Sequence, residues 1–483
     1  MCASVEDLGG RAGPADGLRE RVMPGVLPVL PGVELAGAYR GGGVAARSGG
    51  DWFDAFVTDA GLVAGVCGDV VGHGRAATAA MSELSTVLRM ALLDGADVGA
   101  AAAAVERYAA RSGATRGATA VVLLLDPATG VLEHVRPGHL PLLLRDARGA
   151  VRLLDGPGDA PLGLGGGAPR VHRTVLEPGE AVLACTTGAL GPAARSVDDG
   201  LDALCRTVGG AADGGAAALC AAVAAGPAHE RDAAVLAVSR RPADVTGLHL
   251  DVPADAGLLA EVRERVSDWL AALDVTAEGL TAVPLVVSEL VSNAVEHAYP
   301  PGADGRVRLG VELDGRGGVL LAVADDGRWR PRPPGPVRTG GFGLAVVRDL
   351  ATALQVVTGP QGTVVTAVCA LHHPARVVPP SSRPSAAPDP PEIVERTGVP
   401  PVVSVRGVLD SAAVDPLHAA VLRASEGGTR SVRLELGDVT LLTSAGVRVL
   451  HELAGLPARP EMHAPADARI ARVLEIGGLR LSG

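Results

Sequence analysis

Lysine is absent from this chain, so all 43 of its basic side chains other than histidine are arginines. Aromatic residues are scarce at 2%, whereas hydrophobic residues reach 47%, so any core must be filled mostly by Val, Leu and Ala. A basic excess is also missing. The formal net charge is -11, and without a basic stripe to neutralise phosphates a nucleic-acid partner is excluded. The six cysteines, at positions 2, 67, 185, 205, 220 and 369, form no CxxC pair and no pattern with His. That disfavours a zinc site or a disulfide framework and fits reduced thiols. No apolar run approaches the roughly 18 residues of a spanning helix, and the start MCASVEDLGG lacks the basic and apolar regions of a signal peptide. The expectation is a soluble, cytoplasmic protein with no membrane partner.

What is present divides into blocks. A length of 483 residues at about 150 per domain implies roughly three domains. The clearest break is HHPARVVPPSSRPSAAPDPPE, where proline and serine argue for a linker over 372–398. A weaker one is SRRPADVTG, between the strand-like AAVLAVS and the alternating LHLDV. The blocks are a lead-in at 1–30, a first domain at 31–241, a second at 248–371 and a third at 399–483. All mix strand-like and helix-like periodicity, so the fold class is multidomain α/β.

In the first block, GGDWFDAF carries Asp51 and Asp54, and VCGDVVGHG carries Asp69. Each carboxylate sits at a Gly-flanked strand end. Such groups can face one hard cation, and the glycines let a backbone carbonyl, that of Val70, approach as a further ligand. Either motif alone reads as a turn. The succession GGDWFD, GDVVGHG, GATAVVLLLDPATG, PGHLPLLL and VLEPGEAVLACTTG closely resembles the SpoIIE-type and RsbU-type members of the PPM serine phosphatases. That resemblance implies an α-β-β-α sandwich and a manganese or magnesium centre held by Asp51, Asp69, the Val70 carbonyl and Asp232, with Asp51 and Asp69 catalytic. LRERVMPGVLP resembles the amphipathic lead-in helix of that family. The chain departs from the pattern twice: Thr187 stands where the family has a metal-binding Asp in TDG, and Arg231 stands first in its closing DD pair. Two lost anionic ligands and one added cation weaken a metal site.

In the second block, LVVSELVSNAVEHAY places Glu289, Asn293 and His297 at four-residue steps on one helical face. A carboxylate and a carboxamide so placed can orient a hydroxyl and ligate magnesium on a triphosphate, although polar residues on a helix more often form an exposed stripe. Downstream lie VLLAVADDG with Asp325 and Gly327, TGGFGLAVV with Gly341 and Gly343 ahead of a helix, and GTVVTA with Thr366. The ordered set resembles the Bergerat-type α/β sandwich ATPases, and within them the RsbW and SpoIIAB anti-sigma serine kinases. The resemblance implies ATP with magnesium, Glu289 as base, Asn293 as metal ligand, Asp325 as adenine contact, and His297, Gly327, Gly341, Gly343 and Thr366 around the nucleotide.

The third block holds SVRLELGDVTLLTSAGVRVL and the tail IARVLEIGGL, with Ser444 at the junction of a strand and a helix. The bland role for that serine is an N-cap. The block resembles the small α/β STAS domain of anti-sigma-factor antagonists, in which a serine in this turn accepts phosphate. By that resemblance Ser444 is the phosphoacceptor, with Thr443 standing where the family has Asp. The partners implied are a phosphorylated anti-sigma-factor antagonist protein, a sigma factor or anti-sigma kinase, and a second copy in a homodimer. Two functions stay open: a metal-dependent serine phosphatase fused to a kinase-like ATP-binding domain, or a catalytically weakened phosphatase serving as an ATP-dependent anti-sigma kinase or binding scaffold.

Overall fold

The computed structural model describes residues 23–41, 49–72, 74–154, 156, 158–165, 167–191, 196–212, 214–226, 232–241, 247–299, 304–328, 343–378, 391–409, 411–442, 444–464, 474, 479 and 481. It resolves into two compact units, one of residues 1–25, 36–240 and 375–483 and the other of 26–35 and 241–374. Among the described residues no helix is long and apolar enough to cross a membrane.

The chain begins with β1 (Val26–Pro28) and β2 (Val33–Arg40), then β3 (Trp52–Val57), β4 (Val63–Asp69), α1 (Arg75–Leu93) and α2 (Val98–Ala109). It continues through β5 (Thr119–Leu125), β6 (Val131–Val135), β7 (Leu142–Arg145), β8 (Val151–Leu154), β9 (His172–Val175) and β10 (Ala181–Cys185) to α3 (Val197–Gly209), α4 (Ala216–Ala224) and β11 (Ala233–Arg240). One sheet orders β3-β4-β5-β6-β9 and is antiparallel throughout; a second contains β2-β11-β10-β7-β8. The sheets face each other where β11 meets β3 and β4, with α1 and α2 outside one and α3 and α4 outside the other. This is the expected α-β-β-α sandwich. Strands β5 and β10 are buried at every position, so their near-continuous Val, Leu and Ala runs report strands covered on both faces. With few aromatics, aliphatic side chains fill the layers, among them Leu84, Leu88 and Leu92 of α1 at 0% exposure.

The second unit is built on β12 (Leu248–Pro253), α5 (Leu259–Ala271), α6 (Ala277–Ala298), β13 (Arg306–Leu313), β14 (Gly318–Asp325), α7 (Gly343–Leu350), β15 (Ala353–Gly359), β16 (Gly362–Ala370) and β17 (His372–Pro374). Its antiparallel sheet orders β12-β13-β14-β16-β15. Helix α6 starts at Thr276, whose hydroxyl accepts from the Gly279 N–H at 3.4 Å. Val283, Val286, Val287, Leu290, Val291 and Ala294 then bury one stripe of it against the sheet. Strand β1 pairs with β17 in this unit, so VLP is extended rather than part of the expected lead-in helix.

The last module comprises β19 (Glu392–Arg396), β20 (Val402–Leu409), α8 (Ser411–Ala424), β21 (Arg433–Leu442), α9 (Ser444–Ala454) and β22 (Glu461–His463), preceded by β18 (Arg376–Val378). The sheet orders β19-β20-β21-β22, with β20, β21 and β22 parallel and joined through α8 and α9. The stretch expected to be linker is partly structured: β17 pairs only with β1, β18 adds a parallel edge strand to β2, and β19 is the edge of the last sheet. Proline is compatible with such positions because one side of an edge strand needs no N–H donor.

The stripe on α6 anchors the second unit. Leu290→Ala, at 1% exposure, should cost about 2–5 kcal/mol. Native-state hydrogen exchange should register it as faster exchange across α6 and β14. Unchanged exchange would mean the stripe is not the core of this unit.

Candidate functional site

Three aspartates stand at neighbouring ends of the sandwich strands, and the charges of two of them act on the third. Asp51 immediately precedes β3, Asp69 ends β4 and Asp232 immediately precedes β11. The Val70 N–H donates to the Gly50 carbonyl at 3.2 Å, and a side chain at Gly50 would have its Cβ 2.5 Å from the Val70 oxygen. Glycine at 50 is therefore what lets the Val70 carbonyl lie against the strand end that carries Asp51. Asp232 accepts a short hydrogen bond from the Gly49 N–H.

Asp51 and Asp232 are buried. Burial pushes the Asp51 carboxyl well above its ordinary range, the charges of Asp69 and Asp232 push it further, and a hydrogen bond with Asp69 adds to this. The Thr186 hydroxyl opposes the trend by donating to Asp51 Oδ2 at 2.6 Å, while accepting from the Ala234 N–H at 3.0 Å. Thr186 thus fixes Asp51 against β11. A buried carboxylate group of this density favours either a retained proton or a cation. Among the described residues, no three His, Cys, Asp or Glu side chains stand close enough together to form a ready ligand set. Thr187 occupies the expected aspartate position, half-buried in a short 3-10 turn (Thr187–Leu190). Arg231 lies outside the described residues.

One motif carboxylate departs from expectation: Asp54 lies inside β3 rather than at a strand end, and pairs at 2.7 and 2.9 Å with Arg89, whose guanidinium lies 4.3 Å from the Phe56 ring centroid. Arg40 donates to the carbonyls of Gly188 at 3.3 Å and Gly226 at 3.1 Å, tying the Thr187 turn to the chain beyond α4.

In the second unit, β14 ends beside α6. The Arg328 N–H donates to the Ala298 carbonyl at 3.1 Å, fastening the strand end to the last turn of the helix that carries Glu289, Asn293 and His297. Asp325 is buried, its carboxyl raised by burial, and its Oδ1 accepts from the N–H groups of Gly327 at 3.1 Å and Thr363 at 3.3 Å. Gly362, at φ +123°, has the Asp325 carbonyl where a side chain would stand. Two buried polar atoms here, Asn293 Nδ2 and Thr363 Oγ1, have no hydrogen-bond partner. Orphans of this kind are costly unless a ligand satisfies them.

The register corrects one expectation. Thr363 pairs with Asp325, while Thr366 pairs with Ala322, three residues on and so on the opposite face of the sheet. Thr366 therefore cannot face the pocket of Asp325, and Thr363 can. Gly343 begins α7, and Gly341 lies outside the described residues. Ser444 is the first residue of α9, as expected for a strand-to-helix junction; Thr443 lies outside the described residues.

The family model for Stage II sporulation protein E (SpoIIE) matches residues 59–241, that for the Histidine kinase-like ATPase domain matches 252–369, and that for the Mlab, STAS domain matches 393–480. The crystal structure of the RsbU and RsbW domains of Rv1364c from Mycobacterium tuberculosis is similar with a TM-score of 0.63 and 30% identity, over 73% of this chain and 99% of that one. The Anti-sigma F factor of Shouchella clausii is 32% identical over 115 residues, covering 21% of this chain and 77% of the relative. The chain belongs to the RsbU–RsbW family of partner-switching regulators. Its order of SpoIIE-type phosphatase, kinase-like ATPase and STAS domains follows from the three matches. The Anti-sigma F factor of Bacillus velezensis is 36% identical over 80 residues, 17% of this chain and 54% of the relative; the regulator spans about half the length of several curated relatives it matches.

The electrostatics of Asp51 give a signed expectation. Its folded pKa lies above the unfolded one, so its contribution to stability is full below the ordinary carboxylate range and is lost as pH rises through the raised value. A divalent cation at the centre reverses that loss. The melting temperature of the metal-free regulator should fall as pH rises above the ordinary carboxylate range, and manganese should raise it more at high pH than at low. Asp51→Asn should remove most of that difference; an equal manganese effect at both pH values would contradict it.

Proposed function

We propose that the SpoIIE-type domain is a metal-dependent protein-serine phosphatase acting on a phosphoserine antagonist protein, and that its turnover is weak. The observation that carries this is the buried Asp51, raised by its own burial and by Asp69 and Asp232, at a strand end beside the Val70 carbonyl. Asp51, Asp69, Asp232 and that carbonyl are oxygen donors suited to manganese or magnesium. When bound, such ions supply an activated water and neutralise charge building on the phosphoryl group. The chain's own contribution is orientation. Thr186 holds Asp51 in one rotamer, the Gly49 N–H holds Asp232, and burial keeps both out of bulk water. Thr187 offers only a neutral oxygen where the family resemblance calls for a carboxylate, so one ion should be held poorly.

We propose further that the middle domain binds ATP with magnesium. Asp325 is placed to accept from an exocyclic adenine amine, with Thr363 Oγ1 beside it; Asn293 is the magnesium ligand, and Glu289 the base that takes the proton from a serine hydroxyl. His297, Gly327 and Gly343 complete the proposed nucleotide site. The serine phosphorylated is Ser444 or its counterpart in a separate antagonist. Support comes from the two orphaned atoms, Asn293 Nδ2 and Thr363 Oγ1, which a nucleotide complex would satisfy. A specific observation, the neutral Thr187, favours a second reading in which the phosphatase fold is silent and the regulator works as an ATP-dependent kinase or scaffold.

Phosphate release from a phosphoserine antagonist protein separates the readings. Wild type should turn over slowly and only at high manganese, Thr187→Asp with Arg231→Asp should lower the manganese requirement and raise the rate, and Asp69→Ala should be inactive in either background. No release under any condition would leave the scaffold reading.

For the middle domain, calorimetry on the full chain should show magnesium-dependent ATP binding that Asn293→Ala abolishes and Thr363→Val weakens by about tenfold, the value of one hydrogen bond. Binding unaffected by either substitution would place the nucleotide elsewhere.

A further inference from the structure

The first unit contains a contact that the proposed chemistry does not use. The last module rests on the phosphatase sandwich at two points, both beside Asp69. Val71, two residues beyond Asp69, packs against the hydrophobic cluster of that module, which includes Val447, Leu450 and Leu453 of α9. On the neighbouring strand, Asp69 is paired with Thr119, and two residues before Thr119 stands Gly117. The space a side chain at Gly117 would occupy holds the stem of Arg448: its Cδ lies 2.5 Å, its Cγ 2.7 Å and its Cβ 3.0 Å from the Cβ position. Gly117 also has φ +85°, so glycine there serves both the turn and the close approach.

The contact is mostly apolar. Arg448 turns its charge to its own helix, pairing with Glu452 at 2.9 Å, and its Nε is buried without a partner. It presents carbon to Gly117. Ser444 opens α9 one turn before Arg448, and residues four apart share a helical face. The last module therefore occupies the rim beside Asp69 that a separate antagonist would have to reach.

The tether sets the strength of the effect. Strand β18 is paired into the phosphatase sheet through β2, and β19 opens the last module. Thirteen residues, 379–391, separate them, which limits the distance between the strand ends to about 50 Å. A module joined to the sandwich through so few residues faces its docking site at an effective concentration of about millimolar. A separate protein at micromolar concentration competes poorly.

We propose that the last module is an intramolecular competitor, seated by Val71 and by the Arg448 stem over Gly117, and that a separate phosphoserine antagonist reaches the rim beside Asp69 only when this module lifts away. The inference rests on the phosphatase reading for the purpose of the rim, and on geometry alone for the docking. It is tested on the full chain with Arg448→Ala and the harsher Arg448→Glu, in two measurements. Hydrogen exchange at 70–72 and 115–118 should rise in both variants while α8 stays protected, which shows undocking without unfolding. The affinity of the manganese-loaded chain for a separate phosphoserine antagonist protein should tighten by about tenfold or more. Unchanged exchange at the rim overturns the docking, and faster exchange with unchanged affinity overturns the competition. Tighter binding without any phosphate release supports the competitor while removing the phosphatase reading.

Discussion

The mutual repulsion of Asp51, Asp69 and Asp232 is the constraint on which the phosphatase half of this regulator depends. Three carboxylates at adjacent strand ends, with Asp51 and Asp232 buried, would push one another apart in any fold that did not fix their backbones first. The two sheets do this by pairing β3 with β4 and by setting β11 across them. Gly50 lets the strand-end loops close up, and the Thr186 hydroxyl bridges Asp51 to the Ala234 N–H. The result is a place where a proton or a cation is strongly favoured. The same constraint gives Thr187 its place in the proposed chemistry: one carboxylate fewer lowers the repulsion at the centre and, for the same reason, would lower its hold on a second ion.

The ATPase half solves a different problem. Its helix α6 is made rigid by a Val-rich stripe, and its site is defined by polar groups left unsatisfied at the edge of that core. Asp325 has two backbone N–H partners and so is ordered. Asn293 and Thr363 each keep a buried atom in reserve. The phosphatase centre stores unfavourable charge and this site stores unfilled hydrogen bonds. Both are forms of preorganisation.

Much of this was legible in the sequence because it is local. Gly-Asp pairs at strand ends, the four-residue steps of Glu289, Asn293 and His297, and the buried runs of β5 and β10 each report their own geometry. Four features were not legible, since each depends on register or long-range packing. Thr186 was overshadowed by its substituted neighbour Thr187, although a hydroxyl one residue before a lost carboxylate is a usable signal. Thr366 was read from its motif, but only the pairing of Thr363 with Asp325 shows which face each threonine takes. The proline-rich stretch concealed β17, β18 and β19 because edge pairing tolerates proline. The seating of Arg448 on Gly117 joins residues more than 300 positions apart, and no pattern within either segment announces it.

The central claim is that the Asp51 cluster holds a divalent cation. Anomalous diffraction from crystals soaked in manganese, collected for wild type and for Asp69→Ala, tests it most directly. The account predicts one strong peak in contact with Asp51, Asp69 and the Val70 carbonyl, a second peak that is weaker or missing on the Thr187 side, and loss of both in the variant. A well-folded wild-type structure with manganese bound only elsewhere, or with two equally occupied peaks at the cluster, would contradict it.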